Sequence, residues 1–431
     1  MVESASLSFL IPFIIYILTL EPKLVGGDTS WYALEIPQMY LLPPTGYPTF
    51  SLIGKIMAEI PIGDMAYRLN LLSAIFGSLT ILFLFLSINK LVKNELISLA
   101  GSLIFAFVIP FWTVANRLEF DTLNSFFITL AIFAALLFNE SRKIKHLYFF
   151  FFCLGLSLTN HPIVFFVMPA FLLYIIIISP KVFKSFKVIC LNLLFFILPL
   201  LSYLYLPIRS MQGYGNLTNF HEFFYFVTGR TSSGKTFGGS FGNRPAEVVF
   251  GVFKDYLGII YKSFGIPLII LSIIGFIYLI KKNKKFAICS FLLIISNFII
   301  ITQYLGWACP NYVIDIMLLM SIYIAFGFLF VKDLLTLLLN KLPERKRLSN
   351  RSSILKYSSL ICIFLFFIAQ PVLLAFTNYN RADDSELEGV YLFWDEAFKN
   401  MEDNSIVYVL PASENVGEFV SLYEQNRKGI K

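Results

Sequence analysis

Charged side chains are scarce in this chain: 14% of its 431 residues, where an ordinary soluble domain carries about 25%. With 57% hydrophobic residues and a mean hydropathy of +0.75, that deficit excludes a soluble globular protein. It leaves an integral membrane protein, too long to be one compact soluble unit. Histidine is nearly absent, with three residues in all. The five cysteines (Cys153, Cys190, Cys289, Cys309 and Cys362) stand singly, mostly inside apolar runs, with no Cys-x-x-Cys pair. Neither a metal cluster nor a disulfide framework is indicated. The first stretch, MVESASLSFLIPFIIYILTLEPK, has no basic n-region and no small-residue cleavage site, so it reads as a retained first span rather than a signal peptide. A net charge of +7 does not point to nucleic acid, because the Lys and Arg residues sit in short loops between apolar runs.

What is abundant is apolar sequence in lengths that suit a bilayer, with 48 Phe and 22 Tyr residues. At about 20 apolar residues per crossing, spans are expected at roughly 5–21, 69–89, 96–114, 121–138, 146–160, 162–179, 188–207, 263–280, 286–303, 311–331 and 353–377. Basic residues follow the even-numbered spans without exception: Lys90 and Lys93; Arg142, Lys143 and Lys145; Lys181, Lys184 and Lys187; Lys281 to Lys285; and the run from Lys341 to Lys356. The positive-inside rule makes these loops cytoplasmic. The expected fold is therefore an all-α polytopic bundle of about eleven helices, N-terminus inside, with external loops 22–68 and 208–262. Residues 1–377 form this membrane domain, and 378–431 form a short external tail. The tail mixes a helical period (YLFWDEAFKNM) with a β-like run (SIVYVL), as in a small α/β fragment.

One motif points elsewhere. Residues 229–236, GRTSSGKT, satisfy the string of a phosphate-binding loop. Such a loop needs a preceding strand, a following helix and a surrounding α/β sheet, which loop 208–262 is too short to supply. It also falls on the outer side, away from ATP. No ATP site is expected, and Lys235 and Arg230 would meet phosphate only on a lipid.

The unusual polar residues gather on the outer side. Asp28 and Glu35 lie in the first loop and Arg68 at the mouth of the second span. Arg117, Glu119 and Asp121 lie in one short turn, Asn160 and His161 in another, and Arg209 at the outer end of span seven. Ionisable groups at membrane depth are expensive and mark sites. Carboxylates with guanidiniums suit work on a phosphate-bearing lipid, the carboxylate as base and Arg as anion clamp. Each residue also has a structural reading. Asp28 fits the N-cap of a helix beginning TSWYALE, and Asp121 the N-cap of span four. Glu119 beside Arg117 fits a simple ion pair, and it shares a site with Asp121 only if the turn is non-helical. His161 before Pro162 fits a helix start, and Arg68 and Arg209 fit cations snorkelling to headgroups.

These motifs together resemble a family of multispanning proteins of GT-C-type fold that includes the animal O-mannosyltransferase acting on plexin-type receptor domains. The likeness rests on Gly27-Asp28, Pro44, Gly46-Tyr47-Pro48, Gly54-Lys55 and Arg68-Leu69-Asn70-Leu71. It continues at Glu119 and Asn124, at Asn160-His161 in GLSLTNHP, and at Pro207 and Arg209 in YLYLPIRS. Where the family has a Glu shortly after the Asp, this chain has Trp31; Leu42 and Pro43 stand where a His precedes Pro-Pro. The resemblance implies transfer of a sugar, mannose by family precedent, from a polyprenyl-phosphate donor to an acceptor hydroxyl on a protein or glycan. It implies Asp28 as general base with inversion at the sugar, and Glu119 and His161 as further catalytic groups. Arg68, Arg117, Arg209, Asp121, Asn160, Tyr47 and Lys55 are the candidate binding residues, with Arg68 or Arg209 holding the lipid phosphate. No cofactor or metal is required for a monophosphate donor; a divalent cation, Mg²⁺ or Mn²⁺, enters only with a diphosphate donor, with Glu119 and Asp121 as ligands. The expected location is a prokaryotic plasma (inner) membrane, with the site on the extracytoplasmic face. The competing expectation is a transporter or flippase for a lipid-linked glycan, which would place charges at mid-span and show inverted repeats.

Overall fold

The computed structural model describes residues 1–24, 26–229, 244–304, 307–340, 350–401 and 414–420. Among the described residues there is no strand. The β-like run at 405–410 and nearly all of GRTSSGKT lie outside them.

The chain opens with α1 (Val2–Leu18), and the first loop folds into two short helices, α2 (Asp28–Gln38) and α3 (Pro48–Glu59). Pro48 begins α3 because its fixed φ suits a first helical turn. The long α4 (Met65–Val92) starts where the Asp64 carboxylate accepts the Tyr67 N–H at 2.8 Å, an N-cap that satisfies a donor the helix leaves orphaned. Asn94 caps α5 (Glu95–Ala106) in the same way. The third expected span then breaks: α5 and α6 (Ile109–Ala115) meet at 73°, with Pro110 in the first turn of α6, where no backbone N–H is needed. Next come α7 (Phe120–Ser141), α8 (Ile144–Asn160) and α9 (Val164–Ile178). They are followed by α10 (Phe186–Leu200), α11 (Tyr205–Met211) and α12 (Phe220–Val227). The kinked α13 (Ala246–Lys282), then α14 (Lys284–Tyr304) and α15 (Ile314–Asn340), complete the labelled elements. A helix at Asn350–Ala382 and two short ones, Gly389–Lys399 and Glu414–Phe419, end the described chain.

All eleven expected stretches fall on helical segments. Six described helices are long and apolar enough to cross a membrane, seven if the bent α5–α6 pair is one span; α1 and α9 are apolar but shorter. The protein is thus a multi-pass membrane protein. Its core is built where α4 packs on α7, α7 on α8, α8 on α10 and α13 on α15.

The two ends of the bundle differ in chemistry. At one end the loop lysines and arginines are drawn into contacts between helix termini. Lys90 pairs with Glu140 at 2.5 Å, Arg142 donates to the Ile178 carbonyl at 2.7 Å, and Lys285 reaches the Ile177 carbonyl at 3.5 Å. At the other end lie α2, α3 and the turns holding Glu119 and His161.

Candidate active site

The site is built around α2. Asp28 is its first residue; Gly27, with φ of 68°, turns the chain into the helix, and Ser30 Oγ donates to the Gly27 carbonyl at 2.8 Å. The N-cap position is held by Gly27 and Asp28 is already helical, so the cap reading does not describe it. Its carboxylate remains accessible while partial enclosure raises its pKa above the usual carboxylate range.

The far end of α2 is held by cations. Lys55 Nζ donates to the Pro37 carbonyl at 2.7 Å, Arg209 Nη2 to the Gln38 carbonyl at 2.7 Å, and Arg209 Nε to the Met39 carbonyl at 2.9 Å. Positive charge at a helix C-terminus satisfies orphan carbonyls and opposes the dipole. Arg209 also donates to Gln212 and stacks over Tyr214 at 3.8 Å. Arg68 is engaged in the same manner: it donates to the carbonyls of Ala58, Ile60, Gly63 and Asp64 and so ties α3 to α4. The phosphate-holding role expected for Arg68 and Arg209 therefore does not fit their geometry, because backbone carbonyls take every nitrogen of Arg68 and two of the three of Arg209. Lys55, which also pairs with Glu59 at 2.5 Å, supports α2 from α3.

One turn along α2, Tyr32 anchors the helix in an aromatic cluster. It meets Tyr47, Phe50 and Phe120 edge-on, with ring centroids 6.2, 5.5 and 6.3 Å away. Phe120 stacks on Tyr47 at 4.9 Å and on His161 at 4.7 Å with planes 3° apart. Three separate connections thus converge on one set of rings. Burial lowers the pKa of His161 to about 3, so the ring is neutral at physiological pH, and its Nδ1 accepts the Ile163 N–H at 3.3 Å. That bond places the ring proton on Nε2. Next to it, Asn160 Nδ2 donates to the Phe120 carbonyl at 3.2 Å, while its buried Oδ1 has no partner.

The acidic turn lies beside these rings. Glu119 has extended dihedrals (φ −137°, ψ 141°) at the start of α7. The turn is therefore non-helical at that point, and Glu119 and Asp121 can face one site. Burial, then the Asp121 charge, push Glu119 well above the usual carboxylate range; Arg117 opposes the shift, and Asp28 and Glu21 add to it. Asp121 does not cap the helix either: its Oδ2 accepts from Asn311 Nδ2 at 3.0 Å. Arg117 lies close enough to act on Glu119, Asp121 and Asp384, yet its buried Nε has no hydrogen-bond partner.

Several positioning residues escape a reading based on charge alone. Asn70 Nδ2 donates to the Glu21 carbonyl at 2.8 Å while its Oδ1 accepts the Leu118 N–H at 2.9 Å. Ser73 Oγ accepts the Glu119 N–H at 3.1 Å. Both lie on α4 three residues apart, on the same face as each other, just past Arg68 in the motif. Lys23 pairs with Asp64 at 2.5 Å and sits 4.4 Å from the Tyr391 ring. Asp315, near the start of α15, accepts from Asn124 at 3.5 Å. Asp121, Asn124, Ser125, His161, Asn311 and Asp315 share the wall of a polar cavity of about 10 Å³, about one water's worth of space. Of those the sequence reading missed, only Asp315 left a signal, a carboxylate just inside an otherwise apolar run. Among the described residues no group of three or more His, Cys, Asp or Glu is placed to hold a metal.

The short helix Glu414–Phe419 packs on α2, where Glu418 and, above all, burial raise Glu35 to about 7 against a stabilising bond from Trp31. Asp384 N–H donates to the Thr19 carbonyl at 3.2 Å. The described parts of the tail around Asp384 and at Glu414–Phe419 therefore touch the first loop and its approach.

Comparison with known proteins bears directly on this arrangement. Structures of similar architecture include ArnT from Cupriavidus metallidurans bound to undecaprenyl phosphate, with a TM-score of 0.61 at 11% identity over 97% of this chain and 84% of that one. The archaeal oligosaccharyltransferase AglB from Archaeoglobus fulgidus superposes at 0.54 with 14% identity, over 99% of this chain and 60% of that one. The fold is GT-C. Residues 28–183 match the model of the protein O-mannosyl-transferase TMEM260 N-terminal domain, the segment that holds Asp28, the Arg68–Leu71 motif, the acidic turn and His161. Protein O-mannosyl-transferase TMEM260 of Mus musculus is 30% identical over 211 residues, 46% of this chain and 29% of that protein. The Dictyostelium discoideum protein O-mannosyl-transferase is 26% identical over 97% of this chain and 55% of its own length. The chain thus spans between about a third and about half of the curated relatives it matches.

Proposed function

We propose that this protein is a membrane glycosyltransferase of the O-mannosyltransferase-like GT-C type. It moves a sugar, mannose by the precedent of its relatives' names, from a polyprenyl-phosphate donor to an acceptor hydroxyl. Asp28 takes the hydroxyl proton as the acceptor oxygen attacks the anomeric carbon. The bond from that carbon to the phosphate oxygen breaks, the electron pair leaves with the lipid phosphate, and one displacement inverts the sugar. The reaction takes place on the extracytoplasmic face, the side opposite the loop lysines. Arg117, rather than Arg68 or Arg209, neutralises the leaving phosphate, and His161 and Glu119 shape the pocket as neutral or partly protonated hydrogen-bonding groups.

The observation that carries this reading is the convergence of Asp28, Arg117, Glu119 and His161, from three connections, at the end of the bundle away from the basic loops. A planar guanidinium with an unengaged Nε in a partly dry site suits a phosphate leaving group. The test is incubation of the purified protein with a panel of polyprenyl-phosphate sugars and an acceptor mixture, following release of lipid phosphate. Release with mannosyl donor, lost in Asp28→Asn, supports the proposal; a wild-type protein that releases no lipid phosphate from any sugar in the panel overturns it.

A further inference from the structure

Arg117 is surrounded by carboxylates and bound by none of them. Glu119, Asp121 and Asp384 all lie close enough to act on it. Yet its buried Nε has no hydrogen-bond partner, and no ion pair joins it to any of the three among the described residues. In a partly dry site a guanidinium and a carboxylate attract each other strongly, so something must hold them apart. Glu119 is a weak competitor, because burial and the Asp121 charge favour its neutral form. Asp384 is fixed through its own N–H, which donates to the Thr19 carbonyl at 3.2 Å. Asp121 is restrained by a different device.

Its Oδ2 accepts from Asn311 Nδ2 at 3.0 Å, across 190 residues of chain. An ionised carboxylate only accepts, so the amide must present its nitrogen. Asn311 stands in the short 3-10 turn Pro310–Val313 that leads into α15, and the neighbours of that turn are tied on each side. The Cys309 N–H donates to Tyr256 Oη of α13 at 3.3 Å, and Tyr312 meets Tyr304 edge-on with ring centroids 5.5 Å apart. Arg244 donates to the Gln303 and Tyr304 carbonyls at 2.8 and 2.7 Å. One turn further along both helices, Asn124 Nδ2 lies 3.5 Å from Asp315 Oδ2, a second polar tie between α7 and α15. The donor is thus fixed before its bond to Asp121 is made. The small polar cavity that Asp121 and Asn311 line is shared with Asn124 and Asp315, and Arg117 is not on its wall.

We infer that Asn311 is a positioning residue for the transferase: by holding the Asp121 carboxylate toward α15, it leaves the Arg117 guanidinium open to the phosphate of the lipid donor. The inference rests on the transferase reading for the identity of that anion, and it adds the group that decides which anion Arg117 meets. Without the amide, Asp121 turns to Arg117, and a carboxylate takes the planar fork in place of the phosphate.

The test is a double-mutant cycle on the full chain in detergent, read by binding of undecaprenyl phosphate, which carries the leaving group of the proposed reaction. Asn311→Ala is expected to weaken binding about 10–100-fold. Asn311→Asp, which keeps the shape and sets a repelling carboxylate against Asp121, is expected to weaken it likewise and carries the test if the alanine variant does not fold. Asp121→Asn is expected to bind at least as tightly as the wild type, and in that background Asn311→Ala is expected to have no effect. Wild-type binding by both Asn311 variants overturns the inference. So does a loss that persists in the Asp121→Asn background, or an Asp121→Asn protein that itself binds weakly, since either marks a structural contact. Arg117→Ala, run in parallel, separates the two readings. If it binds weakly while the Asn311 variants do not, the inference alone falls; if it binds as tightly as the wild type, or the wild type binds none, the phosphate role of Arg117 falls and the inference with it.

Discussion

At the scale of single residues, the carboxylates of this site work against stability. Asp28 is held above its ordinary pKa by partial enclosure, so its charged form, the one able to take a proton, is disfavoured in the folded protein. Asp28→Asn is expected to lower turnover roughly 10²–10⁴-fold while leaving the melting temperature equal or higher; a lower melting temperature would show that the carboxylate is structural. Glu35 carries a clear pH signature. Its folded pKa of about 7 exceeds the ordinary 4.5, so the folded state holds the proton more tightly than the unfolded chain. Its contribution to stability is complete below about 4.5 and is lost as pH rises through about 7. Thermal unfolding across that window should show the slope, and Glu35→Gln should flatten it. His161 has the opposite sign: its depressed pKa of about 3 gives stability that is present above 6.5 and fades as the solution becomes acidic. Arg117→Lys is expected to reduce kcat/KM roughly a hundredfold, because a point charge does not reproduce the planar fork. Steady-state kinetics with a lipid-phosphate donor would measure it.

At the scale of elements, α2 is the part on which the proposed chemistry depends, because it begins with Asp28. Its C-terminal carbonyls are fixed by Lys55 and Arg209, and its middle is pressed against α3. A Cβ on Gly54 would lie 2.8 Å from Ile36 Cγ2, so Gly54→Val is expected to destabilise the protein by about 1–3 kcal/mol and to displace Asp28. A melting curve beside a turnover assay tests both parts. These contacts also show how far the sequence could be read. Apolar length and the placement of lysines located the long helices, and ionisable residues in the loops singled out Asp28, Glu119, Asp121 and His161 as candidates, which the fold brings to one end of the bundle. The roles of the cations were not legible, because a guanidinium that ties carbonyls and one that meets phosphate look alike in a string of letters. Arg68 and Arg209 are of the first kind, and Arg117 has the unengaged nitrogen. Nor could apolar periodicity reveal the break between α5 and α6, or that Asp315 turns toward Asn124. Both depend on which helices become neighbours.

At the scale of the whole molecule, residues distant in sequence close over one end of the bundle. Asp384 and Ala382 bind the chain near Thr19 and Asn116, and the helix Glu414–Phe419 rests on α2. Deleting the chain beyond Ala382 is expected to leave a folded bundle with its helical circular dichroism intact but with turnover reduced, since it uncovers α2 and removes Asp384 from beside Arg117. Asn70 joins the first loop to the acidic turn through one amide, holding Glu21 with its nitrogen and Leu118 with its oxygen. A single lesion there loosens two walls of the candidate site together. Second-site revertants of Asn70→Ala should therefore arise in pairs, one on each loop, and a lone compensating change should restore only half of the lost alignment.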